Sequence, residues 1–291
     1  MSGGTPDGAA RLQSCAGSHC AVHPLVGTTT GPEVWCTNAE YAIIVRMRLG
    51  LPLYNGWRRC NMCPGRGPCD ELGRHSMACL GGGYRTRVHN AIRDHIHALA
   101  SSGLCGARLE EHVFPEQPNR RCDILLTELH DGGRPIVIDV STITPYLRPG
   151  AAAANPGGAA AVAEDRKRVA YRDLPADRFS FVPACYDMIG APGPSARALL
   201  KRLSARIADR HGQPRPVMLL YHRIQLQALV QRFLARMLLV NLEGDGSGRG
   251  LVSEASEGDR WFQPPSDPPM QATTQPFSDD DDTDVGEEAI F

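Results

Sequence analysis

The tightest constraint on this chain is the stretch RRCDILLTELHDGGRPIVIDVSTITP, from Arg120 to Pro145. Two short apolar runs, ILL and IVIDV, lie on either side of Asp131-Gly132-Gly133, a turn short enough to close a hairpin. Asp123 stands just before the first run and Asp139 within the second. An isolated carboxylate inside such a strand costs roughly several kcal/mol unless a cation or a hydrogen-bond network meets it. The pattern therefore calls for a sheet and for a partner to Asp139.

The flanking text supplies the other layers. NAEYAIIVRMRLGLPL keeps apolar residues on one helical face from Asn38 to the stop at Gly50-Leu51-Pro52. In RVHNAIRDHIHALASSG, Val88, Ile92, Ile96 and Leu99 have helical spacing before Gly103. Strand-like runs follow at ARLEEHVF, DILLTEL and PIVIDVSTI. PGAAAANPGGAAAVAEDRKRVAYRDL is read as an Ala/Gly/Pro loop that becomes a helix by about Val162. FSFVPACYDMIG is a further strand, and SARALLKRLSARIADRHG and MLLYHRIQLQALVQRFLARMLLVNL are long amphipathic helices. The expected class is α/β.

At 291 residues and 42% apolar composition, the chain suits one sizeable core, or a core with a small appended module. The expected divisions are a flexible segment at 1–36, a helix with a cysteine-rich module at 37–82, the main domain at 83–243, and a disordered acidic tail at 244–291. The net charge of -1 conceals an asymmetry, since eleven acidic residues and one basic residue follow Ser253. The body before it is basic, which suits a phosphate backbone, and the acidic tail leaves a protein-interaction scaffold as a weaker alternative. No run of 18 apolar residues occurs, so no membrane partner is expected. The N-terminus has no secretory pattern, so the ten cysteines read as reduced and the compartment as intracellular, with the nucleus left open.

Within CNMCPGRGPCDELGRHSMAC, Cys60 and Cys63 form a C-x2-C knuckle, and His75 and Cys79 sit four apart, as on one helical turn. That spacing fits one tetrahedral Zn²⁺, with Cys69 as a substitute ligand. The intervening residues hold almost nothing apolar, so a metal would supply the missing stability, and four protein ligands make the site structural. Cys15, Cys20 and His23 also lie close together, as loose thiols or as a second metal site.

Antiparallel pairing across the short turn can bring Asp123 and Asp139 to one end of the sheet. With Glu110 or Glu111 they would offer oxygen ligands to Mg²⁺. Such a site beside a basic surface suits metal-assisted phosphodiester hydrolysis, with Lys167 as the candidate lysine. The competing reading has Asp123 capping a strand, Asp139 paired with Arg121 or Arg166, and Lys167 on a solvated helix face.

Taken in order, CNMC with RHSMAC, RVHN, the RCD of Arg121 to Asp123, VIDVS with Asp139, and Lys167 with Tyr171 form a recognisable series. The series, over roughly residues 38 to 242, resembles the restriction-like endonuclease region of site-specific non-LTR retrotransposon proteins. Cys122 stands where that family has proline, and Ser141 where the core pattern has its lysine. The resemblance implies a PD-(D/E)xK fold, a mixed central sheet flanked by helices, behind a zinc knuckle, with DNA as the partner and a divalent metal. No reverse transcriptase signature occurs in the chain, which looks like a solitary or fragmentary endonuclease module, with membership of a longer retroelement polyprotein left open. The implied catalytic set is Asp123, Asp139, Lys167, Glu111 and Tyr171, with Arg87, His89 and Arg121 on phosphates. A catalytically silent remnant that binds nucleic acid through the knuckle and basic body is the alternative.

Overall fold

The computed structural model describes residues 6–17, 36–117 and 119–243. They form helices α1 (Pro6–Gly17), α2 (Asn38–Leu49), α3 (Arg74–Ala78), α4 (Tyr84–Ser102), α5 (Pro149–Ala154), α6 (Gly158–Ala170), α7 (Pro194–His211) and α8 (Arg215–Glu243). Strands β1 (Arg58–Arg59) and β2 (Pro68–Cys69) make a small antiparallel pair. Strands β3 (Ala107–Leu109), β4 (Ile124–Asp131), β5 (Arg134–Ile143) and β6 (Ser180–Asp187) make a four-stranded sheet in that order. The first three are antiparallel and β6 runs parallel to β5, so the sheet is mixed.

Strand alternation sorts the core into two layers. Ile136, Ile138 and Val140 of β5, with Ile124 and Leu126 of β4, pack on Val88, Ile92 and Ile96 of α4 and on apolar residues of α7 and α8. The intervening Val137 faces the other way, into a cluster with Val113, Phe114, Cys122, Tyr171 and Leu174. Farther along that face Ile143 and Cys185 meet Ala159, Ala160 and Ala163 of α6, small residues that let the helix lie close to the sheet. Asp139 shares this second face.

The hairpin closes through Gly132 and Gly133, at φ 57° and 78°, the positive values that a two-residue turn matching strand twist requires. The register then shifts between Leu126 and His130. Next to the turn His130 opposes Pro135, whereas beyond the shift Ile124 opposes Ile138. Continued one residue, the second register sets Asp123 opposite Asp139. The shifted segment is pinned by the neighbouring chain: Thr127 and Glu128 donate backbone N–H bonds of 3.2 and 2.9 Å to the carbonyls of Gly106 and Cys105. Gly106 has φ 62°, and a Cβ there would lie 2.2 Å from Thr127 Oγ1.

Several expectations are corrected. Residues 6–17, read as part of a flexible entry, form α1, which packs on α5 and buries Ala10 and Ser14. Its buried positions are mostly small residues, within a stretch whose Gly, Ala and Ser content reads as an entry segment. Pro149–Ala154, read as loop, is the short helix α5, started by proline in its first turn. ARLEEHVF is a strand only to Leu109, because Glu110 adopts φ 52°. The segment still runs beside β4, with Glu110 N–H bonded to Asp123 O at 3.1 Å and Cys122 N–H to Glu111 O at 3.0 Å. Cys20, His23 and the acidic tail lie outside the described residues.

Two buried carboxylates tie the layers together. Glu164 of α6 accepts the N–H groups of Ser195 and Ala196, at 2.9 and 3.0 Å, so it satisfies the start of α7. Asp187, at the end of β6, accepts the N–H groups of Ile189 and Ala191 through Oδ1, with Ser14 of α1 beside it. Full burial pushes its carboxyl up to about 6, against the opposing effect of those donors.

Two outcomes follow for stability. Gly106→Ala should cost about 1–3 kcal/mol by urea unfolding, whereas Gly133→Ala, strained but in open space, should cost about 1. Because the folded pKa of Asp187 lies above its unfolded value, its contribution is full below about pH 4 and declines as pH rises toward 6. Asp187→Asn should therefore gain stability relative to wild type across that window, by on the order of 2–3 kcal/mol, and the difference should level off above it.

Candidate active site and metal centre

Two groups of functional side chains lie in different parts of the fold. The first is held by the β1–β2 pair and α3. Sγ of Cys60, Sγ of Cys63, one ring nitrogen of His75 and Sγ of Cys79 all lie within 4.8 Å of one another. Cys60 and Cys79 Sγ are 3.8 Å apart, and Cys63 Sγ is 3.5 Å from His75 Nε2. A tetrahedral zinc with bonds of about 2.3 Å to sulfur and 2.0 Å to nitrogen sets ligand edges of about 3.8 and 3.5 Å. The four atoms therefore could hold one Zn²⁺ with little rearrangement.

The backbone prepares the sulfurs. Met62, Gly67 and Gly81 aim N–H groups at Sγ of Cys60, Cys63 and Cys79, at 3.3, 3.4 and 3.4 Å, an arrangement suited to thiolates. Glycine is obligatory at two of these positions. A Cβ on Gly67 would come within 2.6 Å of the His75 ring, and one on Gly81 within 2.1 Å of Met62 O. Cys69, weighed as a substitute ligand, stays outside the set and accepts from Ser76 Oγ at 3.5 Å. Asp70 caps α3 by accepting Arg74 N–H at 2.7 Å.

The module is sewn to the far end of α8. Tyr54 and Asn241 both bond Ser76 Oγ, at 2.9 and 2.8 Å, and Asn241 Oδ1 accepts the N–H of Asn61 at 2.7 Å. Arg58 reaches Asn241 O at 2.7 Å. These bonds explain why a polar Asn241 is buried, which the apolar pattern of α8 did not announce.

The second group lies on the sheet face covered by α6. Asp139 is 8% exposed, and it is met from one helix by two residues four apart. Tyr171, just past the end of α6, donates its hydroxyl to Oδ1 at 2.6 Å, and Lys167 Nζ lies 2.6 Å from Oδ2. The lysine approaches outside hydrogen-bond geometry, so Oδ2 has a charge partner and no aligned donor. Burial and the adjacent Asp139 carboxylate push the Tyr171 phenol far above its ordinary value, which keeps it a donor. Arg166 is not the partner of Asp139, and Lys167 leans inward rather than lying wholly on a solvated face.

Asp123 sits one residue before β4. Its Oδ2 accepts the Val140 N–H at 2.6 Å, and its Oδ1 is 3.2 Å from His89 Nε2. His89, expected on phosphate, is thus engaged with Asp123, and that bond raises its pKa against the effect of burial. The Val140 contact holds Asp123 beside β5, and the register carried on by one residue puts it on the strand edge next to Asp139. The one set of three or more ligand-bearing side chains within 4.8 Å of one another among the described residues is the cysteine–histidine set.

The auxiliary acids divide. Glu110 is bound by Arg93 at 2.7 Å, with Arg121 at 4.0 Å, whereas half-buried Glu111 makes no side-chain bond among the described residues. Arg87 is exposed, with its guanidinium 4.9 Å from the Tyr84 ring centre, and Arg121 is exposed.

Sequence reasoning missed Arg120. Its guanidinium lies against the rings of both Phe114 and Tyr171, 3.9 and 4.6 Å from their centres, and bonds Ala170 O and Asp173. Tyr171 also stacks on Phe181 at 4.2 Å, so the phenol that meets Asp139 is held by Phe181, Phe114 and Arg120. The Arg-Arg pair before Cys122 was visible, but nothing local distinguished the stacked member from the exposed one.

The metal set generates a direct test. Purified protein should carry one zinc per chain by elemental analysis. His75→Ala should lose it and melt about 5–10 °C lower, whereas Cys69→Ser should keep the metal.

No model of a known protein family and no curated protein matches the chain, so the functional reading rests on this geometry.

Proposed function

We propose that the chain is a metal-dependent DNA endonuclease of retroelement origin, with a restriction-endonuclease-like core and a structural zinc in the Cys60, Cys63, His75, Cys79 set. The observations that support this reading are the β4–β5 register, which carried on by one residue sets Asp123 against Asp139, and Lys167 2.6 Å from Asp139. A mixed sheet flanked by helices is the framework such a core needs.

Asp123 and Asp139 are the residues that would hold Mg²⁺, with Glu111 as a third oxygen source. Oxygen-only donors and the unaligned Oδ2 of Asp139 fit a hard cation. When bound, the ion would polarise a phosphate oxygen and lower the pKa of an attacking water. The chain's own side chains then divide the remaining work. Tyr171 fixes the orientation of Asp139, and His89 that of Asp123. The Lys167 ammonium supplies positive charge beside the reacting phosphate, where negative charge develops. Exposed Arg87 and Arg121 contribute phosphate contacts on the approach. The basic body before Ser253 favours the encounter with DNA.

The test is nicking of supercoiled plasmid with Mg²⁺. Asp139→Asn and Asp123→Asn should each lower the rate by about 100-fold or more while zinc content and circular dichroism stay unchanged. Equal nicking by wild type and Asp139→Asn would remove the assignment. Salt-sensitive DNA binding without metal-dependent cleavage would instead support a silent binding remnant.

A further inference from the structure

The outer face of the β1–β2 pair differs from the rest of the described surface. Trp57 is 72% exposed and supplies the one aromatic ring among the large apolar side chains left open to solvent in the described residues. It borders a shallow pocket of about 400 Å³ whose other walls are Arg58, Arg59, Arg66 and Pro68. The wall is braced from behind. Arg58 is fixed by Asn241 O and by the Tyr54 ring, 4.7 Å from its guanidinium, and Arg59 pairs with Pro68 across the strands. The next residue after Arg59 is Cys60, so the metal-ligand set anchors the same strand. Arg59 and Arg66 are exposed and have no acidic partner among the described residues.

Arg66 adds an independent observation. Its backbone has φ 43°, a left-handed conformation that favours glycine, and glycines stand on both sides of it. The turn would form more readily with glycine at 66, so the arginine stands there against local preference, which motivates a functional reading of its side chain. Its N–H bond to Cys63 O, 3.0 Å, closes the turn that carries Arg66, and Arg66 is one of the residues that line the pocket.

An open indole face ringed by guanidinium groups suits a flat, electron-rich ring joined to anions. A duplex offers neither face of its bases, because both are already stacked. An unpaired base offers its face, and its flanking phosphates suit arginine. An acidic peptide would use the arginines and leave the indole idle. We propose that this face binds an unpaired nucleic-acid strand, with one base stacked on Trp57 and the adjoining phosphates on Arg59 and Arg66. The inference rests on the nucleic-acid reading above and deepens it, because it assigns a single-strand site to the knuckle, apart from the aspartate pair.

The test uses the full chain carrying Asp139→Asn, so that binding is read without cleavage, and keeps chelators out so that zinc stays bound. Fluorescence anisotropy is measured with a labelled single-stranded oligonucleotide and with the same sequence as a duplex. Trp57→Ala should weaken single-strand binding about tenfold and change duplex binding by less than about twofold. Arg66→Gly relieves the backbone, so it should fold at least as well as its parent while the salt slope for the single strand falls by about 0.7. Zinc content should stay unchanged in both. Single-strand binding equal to the parent in either variant overturns the proposal, as does an equal loss on single strand and duplex. Competition by polyglutamate as effective as unlabelled oligonucleotide overturns it in favour of an acidic peptide. Failure of plasmid nicking with this result intact would remove the nuclease and leave the strand site. The reverse combination would remove only the strand site.

Discussion

The carboxylate of Asp139, buried in the fifth strand, is the constraint around which this half of the molecule is organised. A charge in that position is tolerated because one helix delivers both a cation and a donor to it, Lys167 and Tyr171, four residues apart. That requirement fixes the rotation of α6 over the sheet. It also explains why the alanines of α6 face the strands, since any larger residue would lift Lys167 and Tyr171 away from Asp139. The packing of Tyr171 against Phe181 and Arg120 transmits the same demand to the loop before β4. A structural ion pair and a reactive centre look alike at this level, and the added feature here is the second aspartate opposite the first.

The hairpin register makes that second aspartate count. Carried onward from the turn without a shift, the pairing of His130 with Pro135 would set Leu126 opposite Asp139. The displacement between Leu126 and His130 is by three residues, an odd number, so it changes the opposing residue and the face its neighbours present. Asp123 arrives opposite Asp139 because Cys105 and Gly106 capture the backbone of the displaced segment. A glycine more than fifteen residues away in sequence thus helps to position the candidate site.

The cysteine-rich module has a different economy. Its own apolar residues are few, and Leu53, Tyr54, Met62 and Met77 join the main core cluster while Ser76 and Asn61 bond Asn241. The last turns of α8 act as its foundation, while Glu40 of α2, paired with Arg236 at 2.5 Å, ties the opposite side of the same helix. Docking of this kind buries Cys60 and Cys69 of the hairpin while leaving Trp57, just before it, open to solvent.

Much of the architecture was legible in the chain itself. The 3.6-residue spacing of Val88, Ile92 and Ile96, the apolar runs on either side of Gly132-Gly133, and the C-x2-C and His-x3-Cys spacings each depend on neighbours close in sequence, so local pattern sufficed. The candidate acids and Lys167 could be named for the same reason. What only the tertiary structure decided depends on distant parts of the chain meeting. It selected Lys167 and Tyr171 over an arginine for Asp139, turned His89 onto Asp123, placed Arg120 against Tyr171, and left Cys69 outside the metal set. It also turned residues 6–17 and Pro149–Ala154 into helices, since small residues gain helical order from a neighbouring surface rather than from their own pattern. A carboxylate's partner is set by which charged group the fold brings within about 3 Å, and sequence spacing does not encode that distance.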